Sequence, residues 1–130
     1  MGTTVYAFLF FGILFKNREE FPWVHYPSEA SVEKEYGPDD FDAWCRDTHD
    51  PSENGILKPG SHGWGEFPEG YLSISESFKL CEPGEGISVC VEPSVTIEYE
   101  KKFRDFYEKS GWQWPEPGRV GWWVVVAYFA

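Results

Sequence analysis

Apolar residues fill both alternating faces of two segments, one near each end of the chain. The first runs from Thr3 to Phe15 and the second from Val120 to Phe129. Strands that are apolar on both sides are typical of a sheet whose two faces are both covered. We therefore predict that both segments are buried strands, with a short buried helix as the alternative for the first.

The middle of the chain alternates apolar and polar residues instead. This alternation runs from Leu72 to Leu80, where Glu76 interrupts the apolar row, and returns from Ile87 to Val91. Residues 82–86 between these segments have the composition of a turn. The pattern predicts a hairpin of two strands with one solvated face.

One amphipathic helix is predicted in the first half of the chain. Phe41, Trp44 and Cys45 follow helical spacing and form one apolar stripe. Pro38 suits the first position of this helix, which should end near Asp50. Before it, prolines predict an extended loop over residues 21–28, and residues 28–36 have only a weak helical signal.

A second, clearer helix is predicted from Pro93 to about Lys109. Lys109 in the last turn and Gly111 just beyond it are stop signals. The apolar stripe of this helix consists of Tyr99, Phe103, Phe106 and Tyr107.

Residues 50–70 show no periodicity and contain eight glycines and prolines. They predict a long loop, and loops longer than about 12–15 residues inside a compact domain are usually functional or disordered. Trp64 and Phe67 within this stretch indicate that part of it folds back onto the body of the domain.

The predicted element order is β-α-β-β-α-β in a chain of 130 residues. That order is typical of the ferredoxin-like motif, with an antiparallel four-stranded sheet and two helices on one face. We therefore predict a single α+β domain over residues 1–130, with residues 50–70 as a loop insertion. The same elements in another strand order are the alternative.

The charge is strongly negative. The chain holds 22 acidic and 11 basic residues, for a net charge of -11 and a pI of about 4.6. Residues 19–53 carry -9 and residues 66–100 carry -7. Because phosphate contacts need Lys and Arg, this composition argues against direct nucleic-acid binding, and it repels anionic membranes. The longest apolar run is also too short to span a membrane.

The cysteine and histidine positions match no metal or catalytic motif. Cys45 and His49 could share a helix face near Asp42, but no spacing typical of a zinc site occurs, so no metal or cofactor is expected. Cys81 and Cys90 have acidic neighbours, which favour the unreactive thiol. Three cysteines in no recognised framework predict reduced thiols and a cytoplasmic protein.

The glycine-rich stretch at residues 60–65, which contains His62, matches neither of the common phosphate-binding motifs. With no nucleophile or acid–base pair defined by spacing, the expectation is a protein that is not an enzyme. In composition, a small, acidic, aromatic-rich domain without a catalytic motif is similar to small viral counter-defence proteins, of the nucleic-acid-mimic or anti-CRISPR type.

These observations predict a non-enzymatic acidic protein that docks on a basic, nucleic-acid-binding protein and inhibits it. Carboxylates would set the rate of encounter, and aromatic residues would anchor the interface. The candidate contact residues are Trp23, Tyr26, Glu29, Glu33, Glu35, Asp39, Asp40, Asp42 and Asp47.

Two alternatives stay open. One is a small-molecule binder or small enzyme, with a pocket between the sheet and the 50–70 loop lined by His62, Trp64, Trp112 and Trp114. The other is a self-assembling module. Apolar residues on the second face of the two terminal strands would crowd the side of the sheet without helices, and a homodimer could cover them.

Overall fold

The computed structural model describes residues 4–16, 18–25, 36–48, 55–62, 69–81, 86 and 92–129. Within these ranges lie five strands and three α-helices. Single 3-10 turns cover Arg18–Glu20 and Ser75–Ser77. The element bounds are β1 Thr4–Phe15, α1 Pro22–His25, α2 Phe41–Thr48, β2 Leu57–His62, β3 Glu69–Ile74, β4 Lys79–Cys81, α3 Pro93–Ser110 and β5 Val120–Phe129.

The sheet is antiparallel and is built around β1. Along one edge of β1, β5 pairs with residues 4–13. The other edge is shared, because β4 pairs with residues 7–9 and β3 with residues 12–15. β2 then pairs with the outer edge of β3. The two doubly apolar segments of the sequence are therefore neighbouring strands. Both are strands as predicted, but β5 is not buried on both faces, because Val124 is 69 % and Val126 48 % exposed.

The α+β class and the antiparallel sheet are confirmed, but the sheet has five strands where four were predicted. β2 lies within residues 50–70, which were predicted to be a loop. The ferredoxin-like order is not confirmed. It would place the strand expected at residues 87–91 in the centre of the sheet, but β3, β4 and β5 already occupy both edges of β1 over residues 7–9 and 12–13. Residues 87–91 lie outside the described residues.

One strand was predicted over residues 72–80, but a 3-10 turn at Ser75–Ser77 interrupts it. The apolar residues before the turn and those after it lie on opposite sides of the sheet. Before the turn, Leu72 and Ile74 belong to the core beneath the helices. After it, Phe78 packs on the opposite side of the sheet. Leu80 faces that side as well, because it pairs directly with Phe8. A helical turn breaks the two-residue period of a strand, so the alternation across Glu76 did not mark a single face.

All three helices contribute to one core, on one side of the sheet. Its most deeply buried aromatic residues include Trp23, Trp44 and Phe103, each 0 % exposed. On the sheet side, the alternate β1 residues Phe11 and Ile13 complete this core. The prediction that helices cover one face of the sheet is confirmed for the described elements.

The opposite face of the sheet forms a smaller aromatic cluster of its own. Phe10 stacks on Tyr71 at 4.8 Å between ring centroids, and Tyr71 on Phe78 at 5.9 Å. Val125 is buried in the same cluster, with Trp123 packed against it. Trp122 points to the helical side, where its indole N–H donates to Thr96 Oγ1. Phe10, Tyr71 and Val125 are buried in this cluster, whereas Leu80 on the same face is 47 % exposed. The homodimer through this face stays a prediction.

The helix predictions are confirmed in different degrees. α3 spans Pro93–Ser110, as its stripe and its stop signals indicated. α2 begins at Phe41, so Pro38 lies in the preceding turn instead of at the first helical position. Residues 22–25 form one helical turn where an extended loop was predicted. In the described ranges, no helix has both the length and the apolar character required to cross a membrane.

Candidate functional site

Four carboxylates, which we call the α2 carboxylates, lie along α2 and the turn before it. They belong to Asp39, Asp40, Asp42 and Asp47, and all four residues are exposed. The opposite side of α2 is buried deeply, with Trp44 0 % exposed. Because its apolar side is fixed in the core, the helix holds these charges in a constant arrangement on the surface.

Three of the α2 carboxylates also stabilise the local fold. Asp39 forms an ion pair with Arg18. The Asp40 carboxylate accepts the backbone N–H of Gly37 at 2.7 Å. Asp47 accepts the hydroxyl of Tyr36 at 2.6 Å. Among the described residues, Asp42 has no such hydrogen bond or ion pair and is the α2 carboxylate most available to another molecule.

A cleft of about 410 Å³ lies beside the start of α2. Asp39 and Asp42 line it together with Arg18 and Lys58, so charges of both signs surround it. Phe21, Phe41 and Leu57 also line it, and each is nearly completely buried. The surface around the start of α2 therefore carries positive as well as negative charges.

The structure removes Trp23 from the predicted contact surface. Trp23 is 0 % exposed, and its ring stacks on Phe21 at 4.3 Å between ring centroids. Its indole N–H donates to the Gly37 carbonyl at 3.1 Å. A side chain buried in the core cannot anchor a partner, so this assignment was wrong. The other candidates, Tyr26, Glu29, Glu33 and Glu35, lie outside the described residues.

A second cleft, of about 350 Å³, lies where the loop after α3 meets the end of β1. We call it the aromatic cleft. Trp112 and Trp114, two of the four residues predicted for a ligand pocket, both line it. Of the other two, Trp64 lies outside the described residues, and only the backbone of His62 is described, in β2. The remaining apolar lining consists of Ile13, Phe15, Pro22 and Pro115.

The end of α3 places Trp112 at this cleft. Gly111 adopts a left-handed conformation with φ 72°, and its N–H donates to the Glu108 carbonyl. The Trp112 N–H donates to the Tyr107 carbonyl at 3.0 Å. This pair of bonds is a Schellman motif, which turns the chain back over the last helical turn. As a result, Trp112 packs edge-on against Tyr107, at 5.2 Å between ring centroids.

Polar groups complete the aromatic cleft. Arg119 is half-buried, and its Nη2 donates to the Leu14 carbonyl at 3.0 Å. Burial raises the pKa of the Tyr107 hydroxyl, and the positive charge of Arg119 opposes part of that rise. Glu20, Gln113 and Glu116 are exposed residues of the lining. Sequence reasoning missed Tyr107 and Arg119 as site residues. The position of Tyr107 beside the helix stop at Gly111 was the available signal.

The described residues offer no activated nucleophile at Cys45. Burial, together with the nearby Asp42 carboxylate, raises the pKa of the Cys45 thiol to about 12. The thiol therefore stays protonated and unreactive at neutral pH. No group of three or more His, Cys, Asp and Glu side chains in the described ranges is placed to hold a metal ion.

Comparisons of the chain with models of protein families, with curated proteins and with solved structures found no significant match. Function is therefore inferred from the charges and from the two sites described above.

Proposed function

We propose that this protein is a non-enzymatic acidic binding protein that docks on a basic, nucleic-acid-binding protein and inhibits it. The observation that supports this most is the net charge of -11 together with the exposed α2 carboxylates. Complementary charge accelerates encounter and selects partners of opposite sign. A basic groove that binds phosphates also attracts fixed carboxylates, so docking there would exclude the nucleic acid.

The anchoring of α2 in the core supports its role as the docking element. Phe41 and Trp44 bury one side of the helix, and Trp44 lies 4.7 Å from Trp112 between ring centroids. The carboxylates need little ordering on binding, which lowers the entropic cost of the complex. Since Trp23 is buried, charge pairs contribute a larger share of the proposed interface, and binding should be sensitive to salt.

The proposal places the protein in the cytoplasm and gives it no cofactor. The buried Cys45 is a free thiol, a state that the reducing cytoplasm maintains. The high pKa of the Cys45 thiol supports a binding role over nucleophilic catalysis at that residue.

The test begins with the intact protein as bait in an extract of its own cells. A captured protein is then purified and titrated with three forms: the wild type, Asp42→Lys and Asp105→Lys. Asp42 is chosen because its carboxylate has no structural partner among the described residues. Asp105→Lys is the matched control, because it makes the same charge change at an exposed position on α3.

We expect Asp42→Lys to weaken binding at low salt by about tenfold, and the loss to shrink as salt is added. Asp105→Lys should bind nearly as the wild type does. The captured protein should bind nucleic acid, and the wild type should displace that nucleic acid. Unchanged binding by Asp42→Lys, equal losses in both variants, or a captured protein that keeps its nucleic acid would each contradict the proposal.

We propose small-molecule binding as the second candidate function. The specific observation in its favour is that Trp112 and Trp114 line one cleft together with polar residues of both charges. The cleft differs from the predicted pocket, because it lies between α3, β1 and residues 111–119 and not beneath the 50–70 loop.

A further inference from the structure

Three strands lie at the edges of the described sheet. Among the strands that the structure describes, β2 pairs only with β3, whereas β4 and β5 pair only with β1. The unpaired N–H and C=O groups of an edge strand can pair with another chain, so natural proteins protect edges with charges, prolines or short strands. β2 carries Lys58 and Pro59, and β4 has only three residues, of which Lys79 is exposed.

β5 has none of these protections. It spans ten residues, Val120–Phe129, and contains no charged residue and no proline. Its pairing with β1 runs through the whole strand without interruption, so no bulge turns its edge away from a neighbour. Val124 and Val126 are exposed, and by alternation they lie on the same side of the sheet as Trp122. A long, uncharged edge with exposed valines is typical of a strand that pairs with another chain.

The backbone direction identifies which residues of β5 are available for that pairing. The Phe11 N–H donates to Ser77 Oγ, on the side of β1 away from β5. Residues directly opposite one another in an antiparallel pair exchange both of their hydrogen bonds or neither. Trp122 lies opposite Phe11, so the N–H and C=O of Trp122 also point away from β1. By alternation, all even-numbered residues of β5 direct their backbone groups outward.

These outward-pointing residues are arranged symmetrically about Val125. An antiparallel second copy centred there places Val124 opposite Val126 of that copy, and Trp122 opposite residue 128 of that copy. Even-numbered residues therefore pair with one another, and the two strands can form about eight backbone hydrogen bonds. The exposed valines of the two copies also become cross-strand neighbours on one side of the sheet. β5 is therefore complementary to itself, as a two-fold interface requires.

The charge distribution also favours a second copy at this strand. The whole chain carries -11, but residues 101–130 hold three acidic and five basic side chains, for +2. Two copies that meet along β5 therefore bring together a part of the sequence without net negative charge. The strand itself adds no like-charge pair across the interface, and it offers no charge that would attract a charged peptide instead.

We propose that the protein forms a two-fold homodimer in which the β5 strands of two copies pair antiparallel, centred on Val125, and join the two sheets into one. This pairing uses both β5 edges. Because β2 and β4 are protected, the assembly ends at two copies. The interface is the edge of the sheet and not its aromatic face, and it is independent of docking through α2.

The first measurement is the oligomeric state of the full chain, by light scattering and sedimentation equilibrium from about 1 to 100 μM. The edge variant is Val124→Lys with Val126→Lys, which places lysines opposite one another across the proposed interface. It makes the chain less negative, so general charge repulsion cannot explain a loss of the dimer. The control is Leu80→Lys, at an exposed position on the aromatic face.

The second measurement is amide hydrogen exchange by NMR, which reports on the edge directly. In the wild-type dimer, β1 should protect the odd-numbered N–H groups of β5, and the second copy should protect the even-numbered ones. In the edge variant, only the even-numbered N–H groups should lose protection. Retained protection at the odd-numbered residues shows that the variant is folded, and the wild-type pattern is decisive even if the variant unfolds.

We expect the wild type and Leu80→Lys to have twice the chain mass of 15.0 kDa at about 100 μM. The dissociation constant of the edge variant should be at least about tenfold higher. A wild type that stays monomeric at that concentration would overturn the proposal, and so would an edge variant that dimerises normally. A dimer disrupted only by Leu80→Lys would place the interface on the aromatic face instead. Unprotected even-numbered N–H groups in the wild-type dimer would also contradict the proposal.

Discussion

Ser77 replaces one missing partner in the hydrogen-bond ladder of β1 and also pairs with the last carbonyl of β3. β4 pairs with residues 7–9 of β1 and β3 with residues 12–15, which leaves a gap between them. In that gap, the Phe11 N–H donates to Ser77 Oγ at 2.9 Å, and the Ser77 hydroxyl donates to the Ile74 carbonyl at 2.6 Å. One buried hydroxyl therefore satisfies the backbone where the 3-10 turn interrupts the sheet.

We expect Ser77→Ala to lower the free energy of unfolding by about 1–3 kcal/mol, because it leaves a buried N–H and a carbonyl unpaired. Urea denaturation measures the change. Ser75→Ala is the matched control, since the backbone N–H of Ser75, and not its hydroxyl, donates to the Ile56 carbonyl at 2.9 Å. The control should stay within about 0.5 kcal/mol of the wild type. Equal losses in the two variants would contradict this role for Ser77.

At the scale of the element, the sequence predictions were accurate where the determining signals lie close together in the sequence. α3 has its apolar stripe, its proline start and its glycine stop within residues 93–111, and the structure has it at Pro93–Ser110. β2 contains Pro59 and Gly60, which argue against a strand. In the described sheet, β2 pairs only with β3, and the Tyr71 ring lies where a Cβ at Gly60 would be. Only the tertiary structure shows that need for glycine.

The two candidate sites also show that local signals could be predicted from the sequence and distant contacts could not. Exposure of Asp42 and Asp47 followed from the position of the apolar stripe, because the stripe determines which side of a helix is buried. The burial of Trp23 could not be predicted, since it depends on packing against Phe41 and Trp112, which are distant in sequence. The aromatic cleft was not predicted, because it joins α3 to the end of β1; Trp112 and Trp114 were named for a different pocket, beside the 50–70 loop.

Gly111 is the residue that determines how α3 ends. We expect Gly111→Ala to destabilise the protein by roughly 1–2 kcal/mol, because alanine is strained in the left-handed region that this Schellman motif requires. The same change should shift the Trp112 indole signal, since the motif positions Trp112. Thermal unfolding and NMR measure the two effects.

Gly121→Ala is the matched control for Gly111→Ala. Gly121 has no positive φ, and no atom lies within 4 Å of a Cβ built there. Its effect on stability should be small or slightly favourable. If the two alanine variants are equally stable, the left-handed cap does not determine the end of α3.

At the scale of the whole molecule, two of the four basic residues of α3 form ion pairs in the described structure. Lys102 forms ion pairs with Glu76 at 2.8 Å and with Glu98 at 3.4 Å. The hydrogen bond to Glu76 is the main cause of the raised pKa of the Lys102 amine. Arg104 pairs with Glu100 at 3.2 Å. Within the most basic stretch of the sequence, Lys102 and Arg104 therefore offer little free positive charge to a phosphate backbone.

We expect the wild-type protein to form no complex with duplex DNA or RNA at micromolar concentration and about 150 mM salt, where charges are screened beyond about 8 Å. The net charge of -11 repels phosphates at long range, and the paired Lys102 and Arg104 do not compensate at short range. A gel mobility-shift assay measures this. The control is Glu98→Lys with Glu100→Lys, which frees Arg104, removes one of the two partners of Lys102, adds two more cations on α3 and should retard the probe at low salt. A wild-type complex that survives physiological salt would show that the molecule binds nucleic acid itself, and inhibition by charge mimicry would then be the wrong description of its acidic surface.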